Sequence, residues 1–181
     1  CQQRQTFKVT TKHNEKHQVQ PNLLNQNFQP LFANEVWAGD ITYIKTSQGW
    51  RYLAVVMDLF SRRIVGWSMA ERMKADLVIQ ALQQAHVLRQ PQYGCVFHSD
   101  RGSQYTSRAF AKKARQLKMR LSMSDVGCCY DNAVVERFFG SLKHEGLGHT
   151  ATMNENVVKQ EITQFIHYYN FKRPHTANNG M

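Results

Sequence analysis

The sequence predicts an α/β fold: a five-stranded mixed sheet that begins with three antiparallel strands and carries helices on both faces. Three segments rich in β-branched and aromatic residues follow one another closely between residues 36 and 70, a spacing typical of an antiparallel meander. Beyond residue 74, stretches with helical periodicity alternate with short apolar segments. This order indicates a mixed sheet between two layers of helices.

Each of the first three strands is bounded by turn-forming residues. "VWAGDITYI" is followed by the turn-like "KTSQGW", and "RYLAVVMDLF" is followed by the basic turn "SRR", which leads into "IVGWSMA". These signals predict strands at residues 36–44, 51–60 and 64–70.

Helical and apolar segments alternate in the second half of the chain. In "KADLVIQALQQAHVLRQ" the apolar residues recur at the spacing of one helical face, and Pro91 ends the pattern. A buried strand in "YGCVFHS", a helix with a basic outer face in "SRAFAKKARQLK" and a fifth strand in "MRLSMS" follow. Two further helices are predicted in "DNAVVERFFGSLKHEGL" and "NENVVKQEITQFIHYYNF".

Charge is the clearest compositional signal. The chain has 181 residues and 42% hydrophobic content, enough for one globular domain with its own core. It carries 23 Lys and Arg against 13 Asp and Glu, a formal net charge of +10. Such an excess favours a polyanionic partner, and nucleic acid is the leading candidate.

We predict two regions, a basic polar linker or arm at residues 1–33 and a structured core at residues 34–181. The first region is rich in Gln and Asn and has poor hydrophobic periodicity. No apolar run approaches membrane-spanning length, so no membrane partner is expected. The four cysteines form no C-x-x-C pair, which favours reduced thiols and a cytoplasmic protein.

Two aspartates lie at positions where a catalytic or cation-binding role has to be considered. Asp100 directly follows the apolar segment that ends at Ser99, and Asp40 is the one acid within the first strand. A carboxylate inside an apolar strand is costly unless it is paired or binds a cation. A hydrogen-bonded structural aspartate is the simpler interpretation of each, taken alone.

The third helix offers a matching acid. Asn132, Glu136 and Lys143 fall on one helical face, although a solvated charged face is the usual role of such residues. Three converging carboxylates in a basic protein would suit Mg²⁺ or Mn²⁺, whose remaining ligands come from substrate phosphates. Two such ions can serve phosphoryl transfer on nucleic acid.

Several long motifs carry a family resemblance. "VWAGDITYIKTSQGWRYLAVVMDLFSRRIVGWSM", "FHSDRGSQYTS", "SMSDVGCCYDNAVVERFFGSLKHE" and "YYNFKRPH" resemble transposases of bacterial insertion sequences, in the IS-three family, whose core is that of retroviral integrases. The resemblance runs from about residue 34 to residue 175. Its signature is two Asp and one Glu, with thirty-five residues between the second Asp and the Glu; Asp100 and Glu136 have this separation, and Asp40 stands at the first position.

The resemblance implies an RNase H-like fold and a polynucleotidyl transferase, the DDE transposase. It implies that Asp40, Asp100 and Glu136 are catalytic and bind two Mg²⁺ or Mn²⁺ ions. Water-driven nicking of the element ends is then followed by attack of the freed 3′-OH on another phosphodiester. The partners implied are double-stranded DNA, both element ends and target, and further copies of the chain in the DNA complex, in the bacterial cytoplasm at the nucleoid.

The resemblance also implies DNA contacts. Lys143 matches a basic position that contacts the element end. His98, Arg101 and Gln104 flank the second Asp and are expected to touch DNA or to orient Asp100, with an ordinary polar surface as the alternative. Asn132 is expected to fix the helix entry or to reach the metal's surroundings. Relatives carry an N-terminal DNA-binding domain, which this chain is predicted to lack.

Two other functions stay open. A metal-dependent nuclease of the same fold would only hydrolyse, without joining strands. A regulatory DNA-binding protein with an inactive site is the second alternative, and the presence of all three acids counts against it.

Overall fold

A five-stranded sheet forms the centre of the computed structural model, which describes residues 19–24, 29–125 and 133–174. The strands lie in the order β3-β2-β1-β4-β5. Their bounds are β1 Val36–Thr46, β2 Gly49–Asp58, β3 Ile64–Ala70, β4 Val96–Ser99 and β5 Arg120–Met123. The predicted α/β class and the element order are confirmed.

The pairing is mixed, as predicted. β1 pairs with β2 and β2 with β3 in antiparallel fashion, whereas β1–β4 and β4–β5 are parallel. The first strand therefore lies beside the fourth, which brings the carboxyl end of β4 next to β1.

Four α-helices cover the sheet: α1 Ala75–Arg89, α2 Arg108–Gln116, α3 Ala133–Ser141 and α4 Glu155–Phe171. Side-chain caps begin two of them. The Ser107 hydroxyl accepts a hydrogen bond from the Phe110 amide, and the Asn154 side chain accepts one from the Val157 amide. α1 ends at Arg89. Its C-cap residue, Gln90, adopts a left-handed conformation with a φ of 43° and directly precedes Pro91.

The helices lie on both faces of the sheet, over two separate apolar cores. One core joins α1 and α2 to side chains such as Trp37 and Phe97. The other joins α3 and α4 to Val36 and Ala38. Because successive strand residues face opposite sides, odd-numbered positions of β1 face the first core and even-numbered positions the second.

The largest differences between the predicted elements and the structure lie at β4 and at the third helix. β4 begins at Val96 rather than at residue 93, because Gly94 adopts a left-handed φ of 91° that interrupts an extended strand. The third helix was predicted to run to residue 147; α3 ends at Ser141 and continues as a π-helix, Leu142–Gly146. A short 3₁₀ turn, Thr150–Thr152, precedes α4.

Part of the N-terminal segment lies along the sheet edge. The Leu23 amide donates to the Ser122 hydroxyl at 2.9 Å, and Leu24 is buried in the core beneath α3 and α4. Cys95, the cysteine within the described ranges, is a buried free thiol. Among the helices of these ranges, none combines the length and the apolar character needed to cross a membrane.

Candidate active site

Asp40 lies in the middle of β1, on the face covered by α3. It is an even-numbered residue of the strand, like Ala38, whose side chain belongs to the core under α3 and α4. Its Oδ1 accepts a hydrogen bond from the Ile41 amide at 2.7 Å. The side chain is thus fixed near the sheet surface and only partly exposed.

Asp100 lies beside it at the carboxyl end of β4. The register of the parallel pair aligns Ala38 with His98, so Asp40 and Asp100 each lie two residues beyond the last aligned pair. The Asp100 Oδ1 accepts a hydrogen bond from the Gly102 amide at 2.9 Å. A Cβ atom on Gly102 would lie 2.9 Å from that oxygen, so glycine allows the loop to close tightly around the carboxylate.

Glu136 comes from the helix above. On α3 the neighbouring Val135 and Phe138 are buried, whereas Glu136 is exposed. The helix packs over β1, which brings this acid into the neighbourhood of Asp40.

The pKa of Asp40 is affected by the charges of the other two acids. Burial raises the pKa of Asp40 to about 7; the Ile41 hydrogen bond opposes this shift, and the charges of Asp100 and Glu136 add to it. Burial likewise raises the pKa of Asp100, against the hydrogen bond from Gly102. The negative charges therefore repel one another in a site with little water, and a cation would stabilise the ionised forms.

The carboxylate oxygens of the three acids are suitable ligands for a hard divalent cation. In the described ranges, no Lys or Arg forms an ion pair with Asp40, Asp100 or Glu136. The backbone hydrogen bonds engage Oδ1 of each aspartate, and carboxylate oxygens are the ligands that Mg²⁺ and Mn²⁺ prefer. Among the same residues, no three His, Cys, Asp or Glu side chains are arranged as a complete ligand group, so Glu136 would have to move to join the aspartates.

Lys143 lies on the π-helix beyond α3, where its side chain is exposed. Its Nζ lies 4.6 Å from the centroid of the Tyr43 ring. Partial burial lowers the pKa of the Lys143 amine. The residue is accessible to a DNA phosphate, as its predicted role requires.

His98 is placed inside the protein. Its side chain is fully buried, with Nδ1 2.9 Å from the Ser122 hydroxyl and Nε2 3.2 Å from the Ser124 hydroxyl. A ring in this position joins β4 to β5 and its flanking loop and presents no surface to DNA. The burial of His98 argues against the DNA contact predicted for it.

Arg101 and Gln104 make contacts within the protein. Arg101 Nε donates to the Ser124 carbonyl at 2.7 Å, and its Nη2 lies 3.0 Å from Asp125 Oδ1. Gln104 Nε2 donates to the Met73 carbonyl at 3.0 Å. Both are partly exposed, so they hold the loop after Asp100 in place while keeping some surface for DNA. Asn132, the remaining predicted contact, lies outside the described residues.

Two family models match the chain. Both carry the description integrase core domain, one over residues 32–129 and the other over residues 117–181. The chain belongs to the integrase core domain family. The resemblance to IS-three transposases is likewise confirmed by relatives that are similar over most of this chain.

One relative is the insertion element IS600 uncharacterized 31 kDa protein of Shigella sonnei, which is 41% identical over 97% of this chain and 65% of its own length. Transposase InsF for insertion sequence IS3fB of Escherichia coli is 43% identical over 90% of this chain and 57% of its own length. This integrase core thus spans about three fifths of the length of these relatives.

A solved structure supports the fold assignment. The HTLV-2 integrase catalytic core domain in complex with magnesium, in a dimeric form, superposes with a TM-score of 0.66 at 20% identity, over 81% of this chain and 93% of its own. Integrase cores have the RNase H-like fold, which confirms that prediction for this integrase core.

The structure adds site residues that the sequence analysis missed. Tyr105 is buried against Phe97 and Phe110, and its pKa is raised first by burial and then by the charges of Asp40 and Asp100. Gly102 holds Asp100 through its amide. Both belong to the motif "FHSDRGSQYTS", and the glycine two residues after an acid was a usable signal for a tight turn.

Proposed function

We propose that this integrase core is the catalytic part of a transposase that nicks the ends of an insertion sequence and joins them to target DNA. The observation that carries the proposal is that Asp40 and Asp100 each lie two residues beyond the aligned pair Ala38 and His98, near the helix that bears Glu136, and that the charges of Asp100 and Glu136 add to the burial that raises the pKa of Asp40. The similarity to transposase InsF over 90% of this chain supports the same function.

The three acids are proposed as the catalytic and metal-binding set. Asp40 and Asp100 would supply one carboxylate each from the sheet, and Glu136 would supply the third from α3 after moving to join them. The chemistry supplied by two bound Mg²⁺ or Mn²⁺ ions is activation of the attacking oxygen and stabilisation of the leaving one. The magnesium in the related HTLV-2 core supports a divalent ion.

The proposed reaction has two steps, hydrolysis and strand transfer. A water oxygen attacks a phosphodiester at the element end; the bond to the 3′ oxygen breaks, and a free 3′-OH and a 5′-phosphate result. That 3′-OH then attacks a phosphodiester of the target, one bond to phosphorus forms, and the target's own 3′ oxygen leaves with a proton. No side chain of the enzyme becomes covalently attached.

DNA contacts are proposed for Lys143, Arg101 and Gln104, and for Asn132. Lys143 is the most accessible of the described three, since Arg101 and Gln104 also hold their own loop. The net charge of +10 would strengthen binding to DNA through counterion release, with a steep dependence on salt.

The proposal also includes the division of the chain into a core and an arm, and its assembly with further copies. Residues 34–181 would form the catalytic core, and residues 1–33 an arm, of which residues 20–23 contact β5. Pairing of two DNA ends calls for at least two copies of the chain, and the dimeric form of the HTLV-2 core supports such an assembly. The site of action would be the bacterial nucleoid.

A strand-transfer assay tests the proposal. The protein is incubated with Mg²⁺, a labelled duplex whose end already carries a free 3′-OH, and a supercoiled plasmid as target. Joined product that depends on Mg²⁺ and on Asp100 supports the transposase. Hydrolysis without joining would favour a nuclease, and DNA binding with neither reaction would favour a regulator.

A further inference from the structure

An exposed aromatic pair stands beside Lys143. Tyr43 and Trp50 lie near the end of the β1–β2 hairpin, where 58% and 52% of their surfaces remain exposed. Their ring centroids are 5.3 Å apart and the rings meet at 80°, edge to face. Other aromatic side chains, such as Tyr93 and Phe171, are exposed as well, so this pair is distinguished by its ring contact and by the lysine beside it.

Lys143 completes the cluster. Its Nζ lies 4.6 Å from the Tyr43 ring centroid, within the range of a cation–π interaction. Tyr43 therefore contacts both neighbours: it holds the ammonium group on one side and the indole of Trp50 on the other. In the described ranges, no carboxylate forms an ion pair with Lys143, so its charge remains available for a phosphate.

The cluster lies close to the acidic site. Tyr43 follows Asp40 by three residues on β1, about 10 Å along the strand, so its side chain starts from the opposite face of the sheet. Lys143, which follows α3 on the Asp40 face, nevertheless contacts the Tyr43 ring, so the cluster joins the two faces. Trp50 is aligned with Lys45, five residues from Asp40, about 17 Å along the same strand. Nucleotides stacked along one DNA strand rise about 3.4 Å each, so the cluster is about three to five nucleotides from a phosphate held at Asp40.

We propose that Trp50, supported by Tyr43 and Lys143, binds an unpaired base of single-stranded DNA about three to five nucleotides from the reacting phosphate. In this site Trp50 contacts the base, Lys143 contacts the phosphate beside it, and Tyr43 is the positioning residue that holds both. Stacking of bases on aromatic side chains next to basic groups is the physical basis of single-strand binding. This inference rests on the proposed function, because the acidic site fixes where the DNA strand lies.

The geometry favours DNA over a protein partner. A protein contact would need a broad apolar surface, whereas Tyr43 and Trp50 adjoin a lysine in a chain with a net charge of +10. An exposed aromatic pair on neighbouring strands could also do no more than stabilise the hairpin. A purely structural role of this kind predicts that DNA leaves the Trp50 emission unchanged.

Trp50 reports on the binding directly. The chain has three tryptophans; Trp37 is fully buried and Trp67 is partly buried against the core, so Trp50 is the one most open to a ligand. A duplex with a tail of about five thymidines spans the predicted distance, and the same duplex without a tail is the comparison. The titration is done without divalent cations, so that no strand is cut.

The expected result is quenching of Trp50 emission by the tailed duplex and tighter binding of that duplex than of the blunt one. One stacked base corresponds to a preference of about fivefold to a hundredfold. Trp50→Leu removes both the quenching and the preference, and Tyr43→Leu weakens both. Tyr93→Leu is the matched control, because Tyr93 is 86% exposed and precedes β4, at the end opposite Asp100.

A second measurement avoids substitutions altogether. Tails with one abasic nucleotide keep every phosphate and remove a single base, so only the positions about three to five nucleotides from the junction should matter. Equal binding of abasic and intact tails would overturn the inference. A fall in molecular mass of Trp50→Leu by light scattering, with DNA binding unchanged, would also overturn it in favour of a contact between copies.

Failure of this inference can be told apart from failure of the proposed function. Loss of the tail preference in Trp50→Leu, in a protein that shows no joining reaction, would support the base site while refuting the transposase. Mg²⁺-dependent joining with no difference between tailed and blunt duplexes would refute the base site alone.

Discussion

Asp40, within β1, and Asp100, directly after β4, each lie two residues beyond the aligned pair Ala38 and His98 of two adjacent parallel strands. Fifty-nine residues of chain lie between them, and the crossover through β2, β3 and α1 brings them near each other. Ligands of α/β proteins bind beyond the carboxyl ends of parallel strands. Asp100 lies at such an end, near Asp40, whose pKa is raised to about 7 by burial. A bound cation would stabilise the ionised forms of both aspartates.

The first prediction concerns the stability of the metal-free protein. Because the pKa of Asp40 rises from 3.8 to about 7 on folding, the folded protein favours the neutral acid. This stabilising contribution is fully present below about pH 4 and is lost as the pH rises through 7. Asp40→Asn should therefore be more stable than the original protein at pH 8, by an upper limit of about 4 kcal/mol.

Urea denaturation in EDTA, from pH 4 to pH 8, measures the difference between the two proteins. Comparing the variant with the original at each pH removes the effect of the chain's overall positive charge. Added Mg²⁺ should stabilise the original protein at pH 8 and have little effect on the variant. A stability difference that stays constant with pH would contradict the raised pKa.

The second prediction concerns the carboxylates. Asp100→Asn and Glu136→Gln should each lower Mg²⁺-dependent nicking and joining by roughly a thousandfold or more, since each removes a proposed metal ligand. DNA affinity should stay equal or rise, because a negative charge near the phosphates is lost. Gel-based activity and fluorescence anisotropy measure the two effects.

Glu145→Gln is the matched control for Glu136→Gln. Glu145 lies nine residues further along the same helical stretch and is paired with Arg173 at 3.0 Å, away from the aspartates. Its amide variant should retain activity within about threefold, since an exposed ion pair contributes little. Equal losses in both variants would mean that the effect of Glu136→Gln is not specific to the site.

The fold was predictable because its signals are local. The meander from residue 36 to residue 70 shows in strand composition and turns, and the face of α1 shows in its apolar spacing. The alignment of Asp40 with Asp100 is different: it depends on the order of strands in the sheet. The exact register of β1 and β4 became known only from the structure.

The surroundings of His98 could not be predicted in the same way. A histidine two residues from an acid suggests a polar contact, and only the packing of β4 against β5 and the loop after it shows serine hydroxyls at both ring nitrogens. The aromatic pair of Tyr43 and Trp50 was hidden for a similar reason. Alternation along a strand predicts which residues share a face, but the exposure of that face depends on where the helices lie.

The third prediction separates a structural from a DNA-binding role of His98. His98→Ala should lower the free energy of unfolding by about 2 to 4 kcal/mol, because it leaves a cavity and deprives two buried hydroxyls of a partner. DNA affinity of the folded variant should be unchanged. His167→Ala, at an exposed position of α4, should cost less than about 0.5 kcal/mol. A weakened DNA affinity of folded His98→Ala would restore the contact predicted from the sequence.

The fourth prediction concerns the glycine that closes the loop after Asp100. In Gly102→Ala the new Cβ would meet the Asp100 Oδ1 at 2.9 Å and the Gln104 Oε1 at 3.2 Å, so the carboxylate must move away from the Gly102 amide. A shift of about 1 Å at a reacting site lowers the rate by roughly a hundredfold. The fold should remain intact, since the displaced atoms end flexible side chains.

Gly148→Ala is the control for this change, because nothing lies within 4 Å of the Cβ that it adds. We expect Gly102→Ala to require more Mg²⁺ for half-maximal joining, with its unfolding midpoint in urea within about 1 M of the original, and Gly148→Ala to match the original protein in both measurements. The Mg²⁺ requirement distinguishes a displaced ligand from a general loss of structure. Full activity of Gly102→Ala at low Mg²⁺ would show that the hydrogen bond from Gly102 does not position Asp100 for its proposed role.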